Sequence, residues 1–317
     1  MSVKRYTILG TGAIGGYYGA RLQQSGCDVH FLLRSDYDHV RKNGLVVKSV
    51  NDDITLPKVN AYNNPADMPP IDVVVIALKT TQNNRLVNLM PPLNNGAIVL
   101  TLQNGLGIED DIAQLVSPQQ IMGGLCFICS NKVGPGHIHH LDYGKIQMGA
   151  YSANNQPREL TAAMQDIADD FRRAQIPIEV TDDLFIARWR KLVWNVPYNG
   201  LSVVLNATTN ELMADETVSA RIYTLMTEVI TAANAWVDHL SKEAASARRI
   251  PMTWATAMVE ATKKMKPYRT SMKIDFDEGR PLEVEAILGN PVRAAAKLTV
   301  AVPEMERLYS QVKELSS

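Results

Sequence analysis

The chain has 317 residues, 46% hydrophobic and 21% charged, which is ordinary globular composition and enough length for about two domains. Its formal net charge of −1 offers no basic field for nucleic acid, and no apolar run approaches the ~20 residues needed to span a membrane. The opening MSVKRYTILG runs straight into an apolar stretch without a signal-peptide core, so a cytoplasmic protein is expected.

Tyr6 to Leu9 reads as a strand, followed at once by GTGAIG and a helical pattern that ends at Ser25-Gly26. A second strand, DVHFLL (28–33), comes next. Strand, glycine turn and helix in this order form the context of the dinucleotide fingerprint. Gly10 would allow the tight turn, Gly12 the close approach of a pyrophosphate, and Gly15 the packing of helix on strand. Ala13 and Ile14 complete the cofactor-binding turn, where the helix N-terminus offers N–H groups and partial positive charge. That context favours cofactor binding over a merely structural turn. The second strand is followed by Arg34 where NAD-selective folds carry an acid; a guanidinium can pair bidentately with a 2′-phosphate, so NADPH is expected. Asp36 and Asp38 are placed to cap the next helix.

IDVVVIALKT (71–80) and GAIVLTLQNG (96–105) are continuous apolar runs, as parallel strands buried on both faces should be. QIMGGLCFICS, HIHHLDYGKIQMGAY, a helix near 157–174 and IPIEVTD continue the alternation, with an antiparallel edge left open. Cys126 and Cys129 form a C-x-x-C, but no second pair accompanies them. Small buried hydrophobes are expected there rather than a redox or metal centre. His137 and His139 would share one strand face; with no third ligand identifiable, solvated histidines and no metal are expected. The expectation is an α/β doubly wound sheet over residues 1–182 and a mainly helical domain over 183–317.

In the second part, 184–205, 211–240, 251–265 and 283–297 carry helical spacing, and LSVVL (201–205) is the one β-like run. Within RWRKLVWNVPYNG, Lys191, Asn195 and Asn199 recur every four residues as a polar stripe on an apolar helix. Such a stripe faces solvent or lines a wet cleft, and spacing alone favours neither. Pro197 should kink the segment.

These motifs, in order and separation, resemble the ketopantoate reductase (2-dehydropantoate 2-reductase) family: GTGAIG with Arg34, ALKT, LQNGLG, WRKLVWN with Asn199, SMKIDFDEGRPLEVEAI (271–287) and VPEMERLY. The resemblance covers essentially the whole chain. It implies a Rossmann domain joined to a helical domain similar to that of 6-phosphogluconate dehydrogenase. It also implies reduction of the 2-oxo group of ketopantoate by NADPH to give pantoate, a coenzyme A precursor.

By the same resemblance Lys191 is the catalytic proton donor and Glu283 the acid that holds the substrate hydroxyl. Ser271 contacts the substrate carboxylate, Asn195 and Asn199 line the substrate, Asn104 reaches both cofactor and substrate, and Lys79 lies near the NADPH phosphates or ribose. Lysine is a weak acid at its reference pKa of ~10.4, so Arg188, Arg190 or desolvation would have to lower it. Taken by themselves, Glu283 reads as an acid at a helix start, Ser271 as a helix cap, Asn104-Gly105 as a turn and Lys79 as a solvated strand end. The chain departs from the family at Asn199-Gly200, where members often read Asn-Pro, and at Thr209-Asn210-Glu211-Leu212, which lacks the usual glycine and leaves Asn210 without a carried-over role.

A reductase of another small 2-oxo acid shares every one of these features except a use for Glu283. A non-catalytic NADPH-binding regulator would keep the glycines and Arg34 but need not keep Lys191. The apolar content of the helical domain leaves room for a homodimer interface.

Overall fold

The computed structural model describes residues 4–240 and 245–316. The chain divides into two compact units, Met1–Gln103 with Ile108–Leu184, and Asn104–Gly107 with Phe185–Ser317. Among the described residues no helix is long and apolar enough to cross a membrane.

Among the described residues the first unit is built on one ten-stranded sheet. Its strands are β1 (Arg5–Leu9), β2 (Asp28–Leu32), β3 (Leu45–Ser49), β4 (Ile54–Leu56), β5 (Asn60–Tyr62), β6 (Ile71–Ile76), β7 (Leu93–Thr101), β8 (Ile121–Gly134), β9 (His137–Ala150) and β10 (Ile178–Thr181). Their order is β4-β3-β9-β8-β7-β6-β1-β2-β5, with β10 against β9. From β5 through β8 every neighbouring pair is parallel. β1 sits centrally, Tyr6 level with Val29 on one side and Val73 on the other. Val73 to Ile76 are at most 1% exposed, which is why this part of β6 is an unbroken apolar run.

Beyond β8 the sheet is mixed. β8 and β9 form an antiparallel hairpin through Pro135-Gly136, and β9 runs parallel to β3 and β10. The antiparallel pair lies inside the sheet rather than at its edge. β3 and β4 pair as a short hairpin whose signals, Val46-Val47 and the Asn51-Asp52-Asp53 turn, are plain in the sequence. Cys126 and Cys129 are both buried despite their odd spacing, and between them the register shifts where β9 carries an extra residue, Gly144. His137 and His139 are exposed on β9, and His140 is buried between them and the turn beyond. The His140 ring accepts from Ser49 Oγ at Nδ1 (2.9 Å) and donates from Nε2 to the Tyr143 carbonyl (3.0 Å).

The second unit is helical. A helix from Leu184 to Val204 packs with Glu216–Leu240 and Pro303–Leu315 around Trp189, Leu192, Val193, Val196, Met226, Val229 and Leu308. LSVVL is the end of that first helix: burial of Leu201 and Val203 overrides the weak helix propensity of valine. Pro197 does not end the helix, which continues for seven more residues after the missing N–H. The expected 211–240 helix is split at Asp215, whose carboxylate accepts from Thr217 N (2.8 Å) and Val218 N (3.0 Å) and starts the longer piece. Shorter helices span Thr209–Ala214, Thr253–Lys263 and Ser271–Asp277, and a π turn at Glu285–Gly289 leads into Asn290–Lys297.

Candidate active site

The glycine turn lies between the end of β1 and the helix Ala13–Gln24. Gly10 has φ +95°, and a Cβ there would stand 2.7 Å from Leu78 N; only glycine fits the turn. A Cβ on Gly15 would overlap Gly10 O and lie 2.8 Å from Ile8 Cγ2, so this glycine serves the packing of helix on strand. Gly12 differs. A Cβ on it would meet no other atom of the protein within 4 Å, and its φ of −90° is open to any residue. The packing of the protein does not require glycine at that position, whereas a group approaching the turn from outside would.

Gly12 is also the N-cap of the helix, makes no side-chain cap, and has no acid in the turn that follows. The N–H groups of the first helical turn, the positive end of the helix dipole and the open space beside Gly12 fit a dinucleotide pyrophosphate, as the sequence pattern implies. Thr11 Oγ1 donates to Leu32 O (3.3 Å), tying this turn to the end of β2. Lys79 follows Ala77 and Leu78, the residues that crowd Gly10, and is half-buried as the N-cap of the turn Thr80–Arg85.

Arg34 is exposed, two residues beyond β2. Asp36 does not cap the helix that follows it. Its buried carboxylate accepts from Lys132 Nζ (2.7 Å) and Gly136 N (3.1 Å), anchoring the loop to the β8–β9 turn. Burial pushes its pKa up, but the lysine, the amide and Ser35 outweigh this and hold it below the usual carboxylate value. The first acid after Arg34 in the chain is therefore committed to Lys132, a partner distant in sequence.

In the helical unit, Lys191 Nζ donates to Asn104 Oδ1 at 2.6 Å. Asn104 belongs to this unit although it directly follows the strand run of the sheet. Its segment is held by Leu106 N donating to Ala286 O (2.9 Å) and by Asn290 Nδ2 donating to Leu106 O (2.6 Å). Gly105 has φ +110°, and a Cβ there would lie 2.5 Å from Ala286 O.

The polar stripe does not face solvent: Asn195 and Asn199 are 6% and 2% exposed. Asn199 Oδ1 accepts from Met272 N (3.1 Å) and Ser271 Oγ (3.4 Å), which brings two expected substrate residues together at the start of Ser271–Asp277. Ser271 is not the cap of that helix; Thr270 is, accepting from Lys273 N at 3.2 Å. Glu283 is buried immediately before the helical turn that begins at Val284, with its carbonyl accepting from Ile287 N (3.1 Å). Asn210 is exposed in a capping box of Thr208 and Glu211, where its Oδ1 accepts from Thr208 Oγ1 (2.8 Å). Gly200 departs from the family pattern for a packing reason, since a Cβ there would lie 2.6 Å from Leu308 Cδ2.

Comparison with known proteins covers both units. The family described as ketopantoate reductase PanE/ApbA matches residues 6–153, and its C-terminal counterpart matches residues 183–316. A 2-dehydropantoate 2-reductase of Nostoc sp. is 55% identical over 316 residues, 99% of this chain and 96% of the relative. The crystal structure of 2-dehydropantoate 2-reductase from Geobacter metallireducens superposes with TM-score 0.91 at 42% identity, covering 98% and 99% of the two chains. That of the Methylococcus capsulatus enzyme gives 0.85 at 30% identity over 98% and 96%. The chain belongs to the ketopantoate reductase PanE/ApbA family.

Proposed function

We propose that this chain is a cytoplasmic, NADPH-dependent 2-dehydropantoate 2-reductase that converts ketopantoate to pantoate on the way to pantothenate. The observation that carries the chemistry is the 2.6 Å hydrogen bond from Lys191 Nζ to Asn104 Oδ1. An amide oxygen has no proton to give, so it accepts from Lys191 and orients the ammonium that donates to the substrate oxygen.

When bound, NADPH supplies the hydride that reaches C2 of the substrate. The backbone of the Gly10–Gly15 turn would hold its pyrophosphate, and Arg34 its 2′-phosphate. Lys191 donates to the 2-oxo oxygen. As the new C–H bond forms, the carbonyl π pair moves onto that oxygen, which takes a proton from Nζ; the products are a hydroxyl and a neutral amine. Ser271 Oγ, whose 3.4 Å bond to Asn199 is long and readily exchanged, is the group for the substrate carboxylate. Asn195 lines the substrate and Asn199 holds Ser271 in place. The buried Glu283 receives the 4-hydroxyl, a contact that a 2-oxo acid without this hydroxyl cannot make.

Replacing Lys191 tests this assignment. In Lys191→Ala, kcat should fall roughly 10²–10⁴-fold while the Kd for NADPH stays within about twofold. An unchanged kcat would remove Lys191 from the proton transfer.

A further inference from the structure

We propose that Asn290 and Pro291 are positioning residues for this reduction, fixing a π turn whose released carbonyl seats the Asn104 segment and so aims Lys191. The inference rests on the reductase reading for its activity readout. The turn Glu285–Gly289 is π-helical: Asn290 N donates to Glu285 O, five residues back. In an α-helical ladder that N–H would go to Ala286 O. In the wider register Ala286 O would await the N–H of residue 291, and Pro291 has none. Ala286 O is thereby released from the helix ladder, and Leu106 N donates to it at 2.9 Å.

The Asn290 side chain completes the clamp. Its Nδ2 donates to Leu106 O at 2.6 Å, while its Oδ1 accepts from Arg293 Nη2 at 2.5 Å, which orients the amide. Both backbone polar groups of Leu106 are thus taken by one turn. The absent Cβ of Gly105 lets the segment press onto Ala286. Two residues before Leu106 stands Asn104, which holds Lys191 Nζ. Single π turns inside helices recur at functional sites because they redirect backbone groups in this way. Here the redirected group is Ala286 O, and Asn290 and Pro291 act on Lys191 only through Asn104.

The test is a double-mutant cycle in the full-length protein with NADPH and ketopantoate. Asn290→Ala should lower kcat about tenfold, as expected for a displaced catalytic group, with the Kd for NADPH within about twofold. In the Asn104→Ala background the same change should cost less than about twofold, because its route to Lys191 is already gone. Pro291→Ala restores an N–H that competes for the helix carbonyls; kcat should fall while the melting temperature stays level or rises, a split that a structural role would not produce. Equal losses from Asn290→Ala in both backgrounds, or losses that track the melting temperature, would overturn the proposal. Hydrogen exchange of the Leu106 amide supplies a readout without turnover: it should quicken in both variants, and unchanged exchange would overturn the clamp. A wild type inert toward ketopantoate would refute the substrate reading, leaving this exchange measurement to decide the clamp.

Discussion

Gly12 and Gly15 stand three residues apart in one motif, yet substituting alanine at each should fail in opposite ways. At Gly15 the new methyl overlaps Gly10 O and stands 2.8 Å from Ile8 Cγ2 and 3.0 Å from Ala77 Cβ. Overpacking of this kind costs about 1–3 kcal/mol, several degrees of melting temperature in a unit of this size. At Gly12 the methyl meets nothing within 4 Å and needs no unusual φ. Alanine is a poorer N-cap than glycine, so the stability loss should be about 1 kcal/mol or less. What it obstructs is the ligand. Losing one charge-assisted phosphate contact, worth about 1.5–3 kcal/mol, weakens Kd roughly ten- to a hundredfold. The assay is thermal denaturation with and without NADPH. At a concentration a hundredfold above the wild-type Kd, ligand stabilisation of about 2.7 kcal/mol should drop to about 1.4 for a tenfold loss and about 0.4 for a hundredfold loss. A Gly12→Ala protein that binds NADPH as the wild type does would refute the assignment of this cradle to the pyrophosphate.

Arg34→Ala should weaken NADPH roughly ten- to a hundredfold and leave NADH within about twofold, read by titration calorimetry; equal losses would mean that Arg34 does not read the 2′-phosphate. For Lys132→Met the prediction concerns pH. The folded pKa of Asp36 lies below its unfolded value of ~3.9, so its stabilising contribution is present above that value and is lost as pH falls through the folded pKa. Removing Lys132, itself 33% exposed, should cost roughly 1–3 kcal/mol at neutral pH, below the range for fully buried pairs. Urea unfolding should show the gap between variant and wild type narrowing toward about pH 3; a gap constant with pH would contradict the pairing.

The parts of the fold that are legible in sequence are those whose burial leaves a pattern. VVVI (73–76) is apolar throughout because both faces of β6 are buried there, and GTGAIG is bounded by strand and helix because the turn must join them. Strand direction leaves no such mark, which is why the β8–β9 hairpin and its place inside the sheet could not be read from HIHHLDYGKIQMGAY. The polar stripe shows a different limit. Asn199 is neither solvated nor open; its oxygen serves the amide of Met272, a partner distant in sequence. Spacing reveals which residues share a helix face, and leaves open what that face meets. The docking of Asn104 is of the same kind, since Asn-Gly reads locally as a turn while its segment is held by a helix near the far end of the chain. Local rules were one residue off at Ser271, where the neighbouring Thr270 takes the cap. LSVVL looks β-like in isolation, but β propensity yields to burial in a helix core.

Under the proposed function, Lys191, Asn104 and Glu283 serve the reduction of ketopantoate by NADPH. The most direct measurement is steady-state NADPH consumption against ketopantoate and a panel of 2-oxo acids with and without a 4-hydroxyl. Highest kcat/KM for ketopantoate, at least about tenfold above acids that lack the hydroxyl, is the expected result, since sites built to bond a hydroxyl discriminate strongly against its loss. A higher kcat/KM for an acid without that hydroxyl would remove Glu283 from substrate recognition and ketopantoate as the substrate.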